Sequence, residues 1–200
     1  MKVLILICAL LSFGVPSPAA PVPEELRRKH GLIADLPASV HTVPDKVTLV
    51  ADFAGKRAAI VMLYLINKTE AAIEVPSQDG DVFCKREVKN DAGAWRRCDG
   101  HQYSTCGNSY ISVKIPPGSF YAWPQRVDSD KGTKKTLRFH MYQGPPWNLE
   151  SNEGTGIVDE ADVAKCRYDQ MALSMTAPFE DVRRRGHRQG EGRRWECYKA

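Results

Sequence analysis

Between residues 47 and 142 apolar and polar side chains alternate with period two, in short runs broken by Gly, Pro, Asn and Asp. That pattern suits antiparallel strands and little else. Val47, Leu49, Ala51 and Phe53 alternate with Thr48, Val50 and Asp52, predicting a strand with one buried face, and Gly55 turns the chain. Residues 58–66 are apolar throughout and rich in branched and aromatic types, so they predict a central strand covered on both faces. A short strand over 73–75 ends at Pro76.

Residues 82–88 and 94–98 flank Asn90-Asp91-Ala92-Gly93 and predict a hairpin whose glycine supplies the left-handed position. Ile111, Val113 and Ile115 share one face of the next strand. Pro116-Pro117-Gly118 then fits a type II turn from which 120–123 returns. Leu137, Phe139 and Met141 alternate with Arg138, His140 and Tyr142. About seven or more strands at this spacing predict a mainly β chain, an immunoglobulin-like antiparallel β-sandwich.

The first twenty residues set the compartment. Lys2, an apolar run over 3–11 and Ser17-Pro18-Ala19-Ala20 read as a secretory signal cleaved after Ala19, which removes Cys8. The apolar run is too short to span a bilayer, so no membrane span is expected. The organisation that follows is a signal over 1–19, an extended arm over 20–45 with a helical turn at 24–29, and a single domain over 46–200. A formal net charge of +4 is too small to imply a nucleic-acid partner.

Export makes Cys84, Cys98, Cys106, Cys166 and Cys197 disulfide candidates. Cys84 and Cys98 flank the hairpin turn at nearly equal distances, Cys98 with Cys106 is a competing short loop, and Cys166 with Cys197 would tie the tail to the body. Residues 176–185 predict a short C-terminal helix with Thr176 near its N-cap and Gly186 beyond it. A turn of helix over 159–164, capped by Asp159, precedes it.

Candidate chemistry is sparse. The histidines lack metal-ligand spacing, and no nucleophile elbow, phosphate loop or dinucleotide fingerprint occurs, so neither metal nor cofactor is expected. Cys106 with His101 is weak as a thiol nucleophile, because such pairs are assembled by the fold rather than by proximity in sequence. His140 faces outward on its strand as a solvated residue. Asp128-Ser129-Asp130-Lys131-Gly132 lacks the ligand set of a calcium loop and predicts a hairpin turn.

Three surfaces deserve testing. Arg183, Arg184, Arg185, Arg188, Arg193 and Arg194 form either a polyanion patch or a solvated helix end. Tyr121, Trp123 and Trp147 are either core residues or an aromatic platform. Asn67-Lys68-Thr69 is an N-glycosylation sequon in an expected surface loop.

Four segments also share an order of motifs with known proteins: Cys106-Gly107-Asn108-Ser109-Tyr110, Ile115-Pro116-Pro117-Gly118, Thr136-Leu137-Arg138-Phe139 and Ser151-Asn152-Glu153-Gly154. In these the chain resembles a group of small exported bacterial proteins, and it is distantly similar to the immunoglobulin-like domain of BsuPI-type proteinase inhibitors. The resemblance covers about a third of the chain. It implies a single β-sandwich and export, and carries over no catalytic residue. The expected function is therefore a non-catalytic binding or accessory module with a protein or glycan ligand. The alternatives are a protease inhibitor presenting a stapled loop over 98–106, and a hydrolase whose site is assembled from distant residues.

Overall fold

A computed structural model describes residues 26–98, 110–142 and 148–165. Their fold is mainly β and antiparallel. In chain order the strands are β1 (Lys29–Leu32), β2 (Val47–Ala51), β3 (Ile60–Asn67), β4 (Ile73–Gln78), β5 (Asp81–Val82), β6 (Lys85–Lys89), β7 (Trp95–Arg97), β8 (Tyr110–Ile115), β9 (Ser119–Arg126), β10 (Thr133–Tyr142), β11 (Asn148–Glu150) and β12 (Gly154–Val158). A single helical turn and a half, α1 (Glu160–Lys165), follows. The strands form one sheet in the order β1-β9-β3-β2, a second in the order β11-β10-β6-β7 with β12 also on β10, and a third in the order β5-β4-β8.

All three sheets contribute to one buried cluster. Leu49, Leu63, Leu65 and Trp123 come from the first sheet, Leu137, Phe139 and Met141 from the second, and Val75, Val113 and Ile115 from the third. The period-two reading of residues 137–141 holds, since its three apolar residues all face this cluster. β3 is buried along nearly its whole length, as an uninterrupted apolar run in a central strand requires.

What covers the outer face of β3 is the arm. Leu26, Ile33, Leu36 and Val40 pack over Val50, Met62, Tyr64, Ile66 and Phe120 in a second cluster. Residues 29–32, with Lys29 and Gly31 read from sequence as the end and stop of a helical turn, instead form β1 and pair with β9. Gly31 lies opposite Phe120, and a Cβ there would meet the ring at 2.5 Å. The glycine admits the ring. Val50 is buried too, so β2 has two covered faces rather than one.

Other boundaries move for local reasons. Ala58 and Ala59 are not in β3; they are the two central residues of a tight turn in which Arg57 and Ile60 exchange backbone hydrogen bonds of 2.9 and 2.8 Å. Both alanines have positive φ, 46° and 69°. β4 runs through Pro76 to Gln78, because β5 pairs only with Ser77 and Gln78 and leaves the strand open at the proline. Gly118 has φ 67°, as the expected turn needs, yet β8 and β9 leave that turn for different sheets. The 128–132 segment likewise joins two sheets rather than closing a hairpin.

In the β6–β7 hairpin Glu87 lies opposite Arg97 and Lys89 opposite Trp95. The Cys98 N–H donates to the Arg86 carbonyl at 3.0 Å, so Cys98 faces Arg86 and sits diagonally from Cys84. Both cysteines are buried in the main cluster and are not joined to each other. The turn closes one residue later than equal spacing suggests, with the Asn90 N–H donating to Ala94 O at 2.9 Å. That single step moves the pairing by two residues.

Candidate functional site

Two polar constellations stand out among the described residues. The first lies on the outward face of the second sheet, where Arg138 and Glu87 are direct partners across β10 and β6 and His140 and Glu150 across β10 and β11. Arg138 Nε donates to Glu87 Oε2 at 2.7 Å and Nη1 to Glu150 Oε2 at 2.5 Å, while the guanidinium stacks 4.3 Å from the Trp95 ring centre. His140 Nε2 lies 2.8 Å from Asn148 Oδ1, and Nδ1 lies 3.5 Å from Glu87 Oε2. Burial alone would raise the Glu87 carboxyl. Hydrogen bonds from His140 and Arg138, with the charge on each, outweigh burial and hold it below the usual carboxylate range. The groups in this array satisfy one another as cross-strand pairs. It ties three strands together.

The second constellation is concave. A cavity of about 440 Å³ is lined by Arg86, Gln125, Arg126, Ser129, Asp130, Lys131 and Asp159. Arg86 is 9% exposed; its Nη2 donates to Cys98 O at 3.0 Å and its Nη1 to Arg126 O at 3.2 Å, which fixes the guanidinium between β7 and the end of β9. The remaining walls come from the end of β9, from the segment that joins the first sheet to the second, and from Asp159 just beyond β12. That segment is held from both sides: Val127 N donates to Ala59 O at 2.8 Å, Ser129 N to Ile157 O at 2.8 Å, and Ile157 N to Asp128 Oδ1 at 2.8 Å. Lys56 Nζ completes the brace on Asp128 at 3.0 Å. Burial works against the Asp128 carboxylate, yet the Lys56 and Ile157 hydrogen bonds and the nearby cations keep its pKa low. Gly132 has φ 129° and lies so close to β12 that a Cβ would sit 2.1 Å from Val158 O. Only glycine closes the loop there.

Charges on the cavity rim are loosely paired. Arg126 Nη1 meets Asp130 at 3.2 Å and Lys131 Nζ meets Asp159 at 3.4 Å, with the Asp130 side chain 96% exposed. The exposed Arg126–Asp130 pair contributes at most about 1 kcal/mol, whereas the Asp159 side chain is only 19% exposed. The Arg126–Asp130 pair can be exchanged for a ligand at small cost.

Few of the residues singled out in the sequence reach either constellation. His140 is 8% exposed and enclosed in the charged array, not solvated. Tyr121 and Trp123 are core residues, so they form no exposed platform; burial pushes the Tyr121 hydroxyl pKa up, and that hydroxyl donates to Gly80 O at 2.7 Å. Cys106, Cys166, Cys197, His101, Trp147, the six arginines from Arg183 to Arg194, the signal segment and the 176–185 helix lie outside the described residues. So does most of the 98–106 loop. The α1 turn is where it was expected, with the Ala161 N–H donating to Asp159 Oδ1 at 2.9 Å.

The sequon is not on the surface. Asn67 is 0% exposed; its Nδ2 donates to Ala71 O at 2.8 Å and to Ile115 O at 3.0 Å, while Oδ1 accepts from Thr69 N and Thr69 Oγ1 at 3.0 and 2.7 Å. Both amide hydrogens are used inside the protein. A glycan on that nitrogen is incompatible with this packing.

Sequence reasoning missed Arg86, Gln125 and Arg126 in the cavity, because Arg86 on β6 and the Gln125-Arg126 pair at the end of β9 are far apart in sequence and carry no common spacing. It also passed over Asp79-Gly80, a strong hairpin signal. Asp79 and Gly80 have φ 50° and 82° in the turn between β4 and β5. Arg28 of the arm clamps that turn, donating to Asp79 O at 2.6 Å and pairing with Asp81 at 2.7 Å.

No family model, no curated protein and no solved structure matches this chain. Among the described residues, no helix is long and apolar enough to cross a membrane, and no group of three or more His, Cys, Asp or Glu side chains is arranged to hold a metal ion.

Proposed function

We propose that the protein is an exported, non-catalytic binding module built as an immunoglobulin-like β-sandwich, with the Arg86 cavity as its ligand seat. The signal-like N-terminal segment, and the resemblance of four motifs to those of small exported bacterial proteins, are what support the export and sandwich parts of this reading. One observation carries the binding part: a buried arginine, fixed by two backbone carbonyls, looks into a cavity whose loop is braced by both neighbouring sheets. A rigid wall with exchangeable charges on its rim loses little entropy when a ligand enters. The volume also lies within the range of small-molecule sites.

The test is a thermal-shift screen of the purified protein against small polar molecules, repeated on Arg126→Glu/Lys131→Glu. A ligand present at about 100 times its Kd adds about 2.7 kcal/mol, a rise in Tm of roughly 5–10 °C for a chain of this size. Stabilising compounds that lose their effect in the double variant support the reading. If every stabilising compound acts equally on both proteins, or none acts at all, the cavity is not a ligand seat.

A further inference from the structure

We infer that the Arg86 cavity selects small molecules bearing an oxyanion, a carboxylate or a phosphate. This rests on the reading of the cavity as a ligand seat and adds its chemical preference. Three cationic side chains, Arg86, Arg126 and Lys131, line the cavity against two carboxylates, Asp130 and Asp159. One positive charge is therefore in excess.

The distribution of these charges matters more than their sum. Arg86 is buried and its orientation is set by Cys98 O and Arg126 O, so its charge acts through protein rather than through bulk water. Both carboxylates are engaged by cations at the rim, and Asp130 stands almost wholly in solvent, where its field is screened. Asp159, with its side chain 19% exposed, is the carboxylate placed to oppose an anion, and Lys131 pairs with it. An incoming oxyanion takes the place of the exposed Asp130 on Arg126, while Lys131 keeps Asp159. Guanidinium groups favour planar or tetrahedral oxyanions because their N–H groups match two oxygens at once. Ser129 and Gln125 add polar side chains to the same lining.

The strained turn points to the same end of the molecule. Ala58 and Ala59 both hold left-handed conformations that cost an L-residue roughly 1–2 kcal/mol each, and Ala59 O receives the Val127 N–H at the start of the cavity loop. Strain of this kind persists where the surroundings enforce a geometry, and it collects at ligand clamps.

The test is an amide-shift titration of the ¹⁵N-labelled protein in 150 mM-range salt, about 0.15 M, with inorganic phosphate, with succinate and with glucose. Saturable shifts of the 126–132 amides with phosphate or with succinate, weakened at least about tenfold in Arg126→Glu/Lys131→Glu (1.4 kcal/mol per tenfold), support the inference. Whichever of the two binds names the source of the oxyanion. Saturation by glucose alone keeps the cavity as a seat and overturns its preference. Shifts that are spread over the surface and equal in the variant overturn the preference as well. No response of the loop amides to any of the three overturns both readings.

Discussion

Asn152 pairs with Ala51 as a neighbouring strand would: the Ala51 N–H donates to Asn152 Oδ1 at 2.8 Å, and Asn152 Nδ2 donates to Ala51 O at 3.0 Å. Ala51 is the last residue of β2, an edge strand of the first sheet, and Asn152 lies between β11 and β12 of the second. One side-chain amide thus closes an open sheet edge and joins two sheets. Its neighbours follow the same logic, since Ser151 Oγ accepts the Phe139 N–H at 2.9 Å and Gly154 leaves room for the Phe53 ring. The Ser151-Asn152-Glu153-Gly154 segment is a joint. Replacing Asn152 by Ala leaves the buried Ala51 N–H unpaired, while Ala51 O keeps the Phe53 N–H at 3.0 Å, and should cost about 1–3 kcal/mol. Urea unfolding with tryptophan fluorescence measures it, and an unchanged midpoint would show that the edge needs no cover.

Asn67 should carry no glycan in folded protein, even from a host that modifies sequons. Intact mass before and after endoglycosidase treatment reads this directly. Asn67→Ala removes four hydrogen bonds around one buried side chain and is expected to destabilise by about 2–4 kcal/mol. Soluble, cooperatively folding material bearing sugar at Asn67 would refute the packing described for the end of β3.

The Ala58-Ala59 turn predicts a gain rather than a loss. Ala59→Gly relieves a left-handed alanine at the cost of some unfolded-state entropy, for a net stabilisation of about 0.5–1 kcal/mol. A lower urea midpoint for this variant contradicts the turn geometry.

Acid should weaken the protein through Glu87 and Asp128. Each has a folded-state pKa below its ordinary value, 4.5 for Glu and 3.8 for Asp, so within that interval the unfolded chain binds more protons than the folded one. The stabilisation is fully present above the ordinary values and is lost as pH falls through the depressed ones. Stability measured between neutral pH and pH 3 should decline in this window, and Glu87→Gln should flatten the decline while costing about 1–3 kcal/mol at neutral pH. A variant with the parent's slope assigns the acid sensitivity elsewhere.

Strand identity was legible in β8 and β10, because a period of two survives whatever the partner strand is, and in β3, whose uninterrupted apolar run marks a strand covered on both faces. Partnership was not. Nothing local in Pro116-Pro117-Gly118 distinguishes a hairpin from a passage between sheets, and nothing in the spacing of Cys84 and Cys98 reveals that the turn closes one residue late. Alternation put His140 on the outward face correctly. Its burial escaped because long side chains, Arg138 and Glu150 among them, cover that face with their own stems. The cavity was the least legible part, since Arg86, Arg126 and Asp159 meet only once three sequence-distant elements have packed. Asp79-Gly80 is the exception, a signal present in the chain and masked by reading Pro76 as a strand end.

The claim that the Arg86 cavity seats an oxyanion is tested most directly by an X-ray structure of crystals soaked in selenate, an oxyanion located by its anomalous scattering. An anomalous peak bounded by Arg86, Arg126 and Lys131, and absent in Arg126→Glu/Lys131→Glu crystals, is the expected result. Peaks confined to other surface cations, with the cavity occupied by water alone, contradict it.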